Sequence, residues 1–170
     1  MKLAGILFIV VSAGWVGLRI ATSLRKRCHL IRQLLNALQV MGNEIGCCGT
    51  PLPQVFALMA ISADGAVSRV FSSVAKTMDK QRWTTPRSAM EEALRAEPLL
   101  GEDLAIANVL LSLASGLGKY DRDSQMETLD KTRTELVLLL QSAEQECSVR
   151  SKTYEVLGIC TGISVAILLI

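Results

Sequence analysis

The chain has 170 residues, half of them hydrophobic, with 18 Lys and Arg against 16 Asp and Glu. A net charge of +2 with no basic stripe and interleaved aromatics gives nucleic-acid binding no footing. At 4%, the aromatics favour helices packed through Leu, Ala, Val and Met over a β core.

Apart from Lys2, every charged side chain lies between Arg19 and Glu155, which leaves two uncharged ends, residues 3–18 and 156–170. They account for a mean hydropathy as high as +0.36. A helix in hydrocarbon satisfies its own backbone, so runs of this kind predict transmembrane spans at 1–21 and 155–170. Lys2 precedes the first run, whereas Arg19, Arg25, Lys26, Arg27 and Arg32 follow it; Arg150 and Lys152 precede the second. The side richer in Lys and Arg stays cytosolic, so residues 22–154 are expected to face the cytosol with both termini opposite. Trp15 and Tyr154 then fall at the cytosolic headgroups. A cleaved signal peptide fits less well, because no A-x-A site follows the apolar core and a dense basic cluster does. At about 1.5 Å per residue the second run reaches only ~22 Å, short of the ~30 Å of hydrocarbon. Ala13, Gly17 and Ala21 recur every fourth residue on one span, as do Gly158, Gly162 and Ala166 on the other. Small residues at that spacing are candidates for close helix packing in lipid.

No Pro interrupts Leu3 to Gly49, and Leu30, Leu34, Leu38, Met41 and Ile45 keep helical spacing, so the first span is expected to continue as an amphipathic helix to Gly46–Gly49. Thr50-Pro51 reads as an N-cap followed by Pro in the first turn, opening a second helix to about Ser62. Asp64-Gly65 is a turn, and Val67, Val70, Phe71, Val74 and Met78 mark a third helix. Thr85-Pro86 opens a fourth, with Glu91 and Arg95 as an i,i+4 pair and Pro98 as its end. Glu102 and Asp103 start a fifth, apolar through Leu113 and stopped by Gly116-Leu117-Gly118. From Asp121 no Pro or Gly occurs until Gly158, so a sixth helix runs toward the second span. Leu129, Leu136, Leu140, Ala143, Cys147 and Tyr154 give it a coiled-coil-like face, and Glu127–Lys131 and Glu146–Arg150 are solvent-side pairs. The predicted architecture is all-α: a cytosolic bundle of about six helices flanked by N- and C-terminal transmembrane helices. If the first and sixth helices stand upright, rising ~37 and ~50 Å, the Gly46–Thr50 and Gly116–Asp123 turns lie at the membrane-distal end.

Catalytic signatures are missing. There is no phosphate loop, G-x-S-x-G or H-E-x-x-H, and His29, the one histidine, sits in an arginine cluster. Gly116-Leu117-Gly118 lacks a third glycine and a preceding strand. Cys28, Cys47, Cys48, Cys147 and Cys160 are odd in number and irregularly spaced, which suits reduced thiols better than a disulfide framework or a metal site. No enzyme activity and no cofactor are expected.

Five stretches together resemble the stage III sporulation protein AB family of endospore-forming bacteria. They are the opening MKLAGILFIVVSAGWVG, then LRKRCHLIRQLLNAL, EIGCCGTPLPQVF, GLGKYDRDSQ at 116–125, and the closing KTYEVLGICTGISVAILLI. Gly46-Cys47-Cys48-Gly49 departs from the Tyr-Gly expected before the TPL turn. The resemblance implies a mother-cell membrane protein of the channel complex joining mother cell and engulfed forespore. Such proteins are similar to the F-type inner-membrane platform proteins of type II secretion systems. It also implies a cytosolic partner similar to the ATPase-like stage III sporulation protein AA, within an oligomeric assembly of further membrane components. The function expected is therefore a non-enzymatic platform coupling to a secretion-type ATPase. The alternatives are a ligand-sensing or signalling membrane protein, or an exported membrane-anchored domain. The candidate partner contact is Lys119, Tyr120, Asp121, Arg122 and Asp123 with Thr50, Pro51, Leu52 and Pro53 beside it, since an exposed tyrosine among mixed charges suits a polar partner surface.

Overall fold

In the computed structural model the described backbone covers residues 2–81, 83–118 and 122–169, and the described side chains cover 23–81, 83–118 and 122–149. Helix α1 (Lys2–Asn43) passes into a π-helical turn at Glu44–Cys48. There follow α2 (Leu52–Ser62), α3 (Gly65–Lys80), α4 (Pro86–Ala96), α5 (Pro98–Gly101), α6 (Leu104–Gly116) and α7 (Arg122–Leu169). Among the described residues there is no strand, as the low aromatic content and helical spacing predict.

Two expectations need correction. Where about six helices are predicted, the described residues form seven α-helices and the π turn. Pro98 does follow the end of α4, yet it also opens the single turn α5, because a proline loses no bond at a first turn whose N–H has no helical acceptor. The flanking transmembrane helices gain no support from the described residues, where no helix is long and apolar enough to cross a membrane. The apolar runs themselves fall in the outer parts of α1 and α7, whose side chains lie outside the described residues. So do the side chains of Ala13, Gly17, Ala21, Gly158, Gly162 and Ala166.

The chain divides into two compact units. One is Met1–His29 with Gln141–Ile170; its described side chains bury Leu24, Cys28 and Ala143. The other, Leu30–Leu140, holds the main core. Within it α2 packs on α3, α3 on α4, and α4 on α6, with α5 wedged among α3, α4 and α6. Helical spacing decides what is buried: Ile31, Leu34, Leu38 and Met41 on α1; Val67, Val70, Phe71 and Val74 on α3; Met90, Ala93 and Leu94 on α4; Ile106, Leu110 and Leu113 on α6. Phe56 of α2 and Phe71 of α3, both fully buried, stack with ring centroids 6.2 Å apart. On α7, Leu129 and Leu136 are buried and Leu140 half-buried, as the coiled-coil-like spacing predicts. Thr132 joins that face, its hydroxyl donating to the Thr128 carbonyl at 2.8 Å.

Close backbone approach explains two glycines. A Cβ on Gly101 would collide with the Leu94 carbonyl oxygen, so α5 can fold back on α4 only without a side chain there. A Cβ on Gly116 would lie 2.6 Å from the Thr128 Cγ2, which fixes the end of α6 tightly against α7.

Candidate functional site

Three turns meet at one end of the Leu30–Leu140 unit, and the two that open α2 and α4 are built by short-range bonding. The first joins the π turn to α2. Gly49 takes a left-handed conformation (φ 61°) that ends the helical run, and the Thr50 hydroxyl then donates to Glu44 Oε2 at 2.7 Å. Thr50 is therefore not the N-cap expected from the sequence. Pro51 occupies that position with ψ 138°, its carbonyl accepting from the Gln54 and Val55 amides at 2.9 and 3.1 Å, and Pro53 sits in the first turn of α2.

The second turn joins α3 to α4. The Gln81 amide donates back to the Thr77 carbonyl at 3.0 Å, closing α3. The Thr84 amide donates to the Gln81 carbonyl at 2.9 Å and its hydroxyl to Gln81 Oε1 at 2.9 Å. Thr85 then caps α4, accepting from the Ser88 amide at 3.3 Å, as its Thr-Pro signature predicts. Arg87 bridges onward: its Nη1 donates to Ser115 Oγ of α6 at 2.8 Å and its Nε to Glu91 at 3.1 Å. Glu91 thus pairs with Arg87 rather than with Arg95.

The third turn joins α6 to α7 through Gly118 (φ 79°). A Cβ there would lie 3.2 Å from Leu52 Cδ1 and 3.8 Å from Pro86 Cγ, so this turn touches the starts of both α2 and α4. Gly46 of the π turn lies beside Met126 of α7, 3.9 Å from where its own Cβ would stand. Of the residues expected to meet a partner, Arg122, Asp123 and Pro51 are exposed, while Thr50, Leu52 and Pro53 are half-buried. Lys119, Tyr120 and Asp121 lie outside the described residues. Gly118, the last described residue before them, lies beside Leu52. Sequence reasoning missed a third contributor: Trp83, at the apex of the Gln81–Thr84 turn, is 97% exposed. Its signal in the sequence is a tryptophan in a polar loop just before Thr85-Pro86.

Two ion pairs shift the titration of their carboxylates. Arg69 grips Glu97 through Nε–Oε2 and Nη2–Oε1 contacts of 2.6 and 2.9 Å, and that hydrogen bonding holds the Glu97 carboxyl below the usual range. Lys131, 2.7 Å from Glu127, lowers that carboxyl likewise, the i,i+4 pair predicted on α7. Among the described residues no cluster of His, Cys, Asp and Glu could hold a metal ion, and Cys28, Cys47, Cys48 and Cys147 form no disulfide. The arrangement can present a surface; its described groups assemble no nucleophile with a base.

Comparison with known proteins gives the family. A family model described as stage III sporulation protein AB matches residues 2–170, both apolar ends included. Stage III sporulation protein AB of Bacillus subtilis (strain 168) is 31% identical over 170 residues, which cover 99% of this chain and 99% of that protein. A solved structure of stage III sporulation protein AB is similar with a TM-score of 0.62 at 29% identity, over 70% of this chain and 94% of that one. A match that spans the whole chain, joined by a shared helical fold, places the protein in the stage III sporulation protein AB family.

Proposed function

We propose that this chain is a non-enzymatic platform in the membrane complex that joins mother cell and forespore. Its helical domain faces the cytosol and couples to a secretion-type ATPase similar to stage III sporulation protein AA. Its apolar ends, 3–18 and 156–170, span the mother-cell membrane around the forespore and meet the other membrane components. The family match supports a role in sporulation, and its reach through both apolar ends supports treating them as part of the working unit. The observation that carries the coupling is the convergence of three turns at one end of the bundle, where Gly118 sits against Leu52 and Pro86. Arg122 and Asp123 at the start of α7 and Pro51 at the head of α2 are exposed there, and the turns before α2 and α4 are fixed by their own hydrogen bonds, which lowers the ordering cost on binding.

The test is charge reversal at Lys119 and Arg122 in the full chain, co-purified with the ATPase from detergent-solubilised membranes. Loss of the ATPase with helicity unchanged by circular dichroism is the expected result. A wild-type chain that never retains the ATPase would refute the coupling.

A further inference from the structure

Helix α6 is apolar almost all the way round, and the fold covers only part of it. Ile106, Leu110 and Leu113 are buried, whereas Leu104 is 74% exposed and Leu111, two turns further on, is half-buried. A helix of this composition is normally covered on every side. Between its outer face and α4 runs a groove of about 560 Å³. The buried Leu94 and Ala107 line it together with Gly101, the position where the Leu94 carbonyl leaves no room for a side chain.

Two opposite charges line the same groove, Arg95 of α4 and Glu102 just before α6, and both are exposed. The sequence spacing predicts a Glu91–Arg95 pair, but Glu91 turns to Arg87 instead. Neither Arg95 nor Glu102 has an ion-pair partner among the described residues. Helix α4 ends and α6 begins on either side of the single turn α5, and the two helices pack together, so both charges stand at the same level of the bundle. One face thus carries a recess, an apolar knob in Leu104, a cation and an anion. A two-fold contact joins a patch to itself and needs a patch that is its own complement. A different protein would have to supply the apolar knob, the anion and the cation that this face already presents.

We infer that the α4–α6 groove is a surface for self-association, and that its occupant is a second copy of this chain. In a two-fold pair with its axis along the helices, Leu104 of each copy enters the groove of the other. Arg95 of each copy meets Glu102 of the second. Both copies then point the same way, as two chains held in one membrane must. These residues lie at the opposite ends of α4 and α6 from the three turns, and the pairing does not depend on the ATPase coupling.

The experiment measures energy transfer between donor- and acceptor-labelled full chains purified in a mild detergent. It compares wild type, Arg95→Glu, Glu102→Arg, Leu104→Ser and an equimolar mixture of the two charge variants. All three positions are exposed, and circular dichroism checks that helicity is kept. Either charge reversal alone turns both attractive pairs of the two-fold contact repulsive, so each should weaken association roughly tenfold or more. In the mixture one chain carries two acids at these positions and the other two bases, and transfer between them should return to the wild-type level. Leu104→Ser should weaken association without any such rescue. Wild-type chains that show no transfer, or transfer that survives both reversals, overturn the inference. Loss in both variants without recovery in the mixture also overturns it, because the charges would then meet a different surface. Each of these outcomes leaves the platform reading to its own test.

Discussion

Thr-Pro occurs twice in this chain, and the two threonines do different things. Thr85 accepts the Ser88 amide and caps α4, whereas Thr50 gives its hydroxyl to Glu44 and leaves Pro51 at the head of α2. Thr85→Ala should therefore cost about 1 kcal/mol, read as a lower midpoint in urea, because it strands a first-turn amide. Thr50→Val should leave α2 intact and act on the π turn instead. The dipeptide was legible in the sequence; the choice between the roles was not, because it depends on where a helix six residues upstream places Glu44. The same holds for Glu91, whose partner is Arg87 on its N-terminal side. Glu97 supplies a pH dependence. Hydrogen bonding to Arg69 holds its folded pKa below the ordinary glutamate value of 4.5, so the pair stabilises the fold above that value. That contribution is lost as pH falls through the lowered folded value. Glu97→Gln should flatten the acid limb of melting temperature against pH below about 4.5; an unaltered limb would show the pair to be silent.

At the scale of elements the periodic signal served well. The apolar spacing that predicted α3 and α6 is the spacing that is buried, and the uninterrupted runs predicted that α1 and α7 would be long. What escaped were features without a period. The π turn at Glu44–Cys48 and the single turn α5 follow from how backbones pack, and Gly101 and Gly116 carry that information only once their neighbours are known. Gly101→Ala should destabilise by about 1–3 kcal/mol, since the obstacle is the rigid Leu94 carbonyl. Gly116→Ala meets the Thr128 side chain instead, which a second substitution can remove. Thr128→Ala in the Gly116→Ala background should thus recover part of the loss, and a double-mutant cycle measures the coupling. Strict additivity would place the end of α6 farther from α7 than described here.

For the whole molecule, the distribution of charge sets two apolar ends apart from a polar middle, and among the described residues no helix is long and apolar enough to cross a membrane. The family match then encompassed those ends along with the helical domain. The lengths of the first and last long helices put the Gly46–Thr50 and Gly116–Asp123 turns at one end, but the third turn, before Pro86, could not be read from the chain, because Pro86 and Gly118 share no pattern. The proposed platform role requires that surface to face the cytosolic side of a membrane. Cys47 and Cys48, both exposed on the π turn, report it directly. The decisive measurement labels them with a membrane-impermeant maleimide in protoplasts expressing the full chain with its other three cysteines replaced by alanine. Labelling after lysis alone is the predicted result and puts the surface in the cytosol, within reach of an ATPase. Labelling of intact protoplasts would put it outside and contradict the platform account.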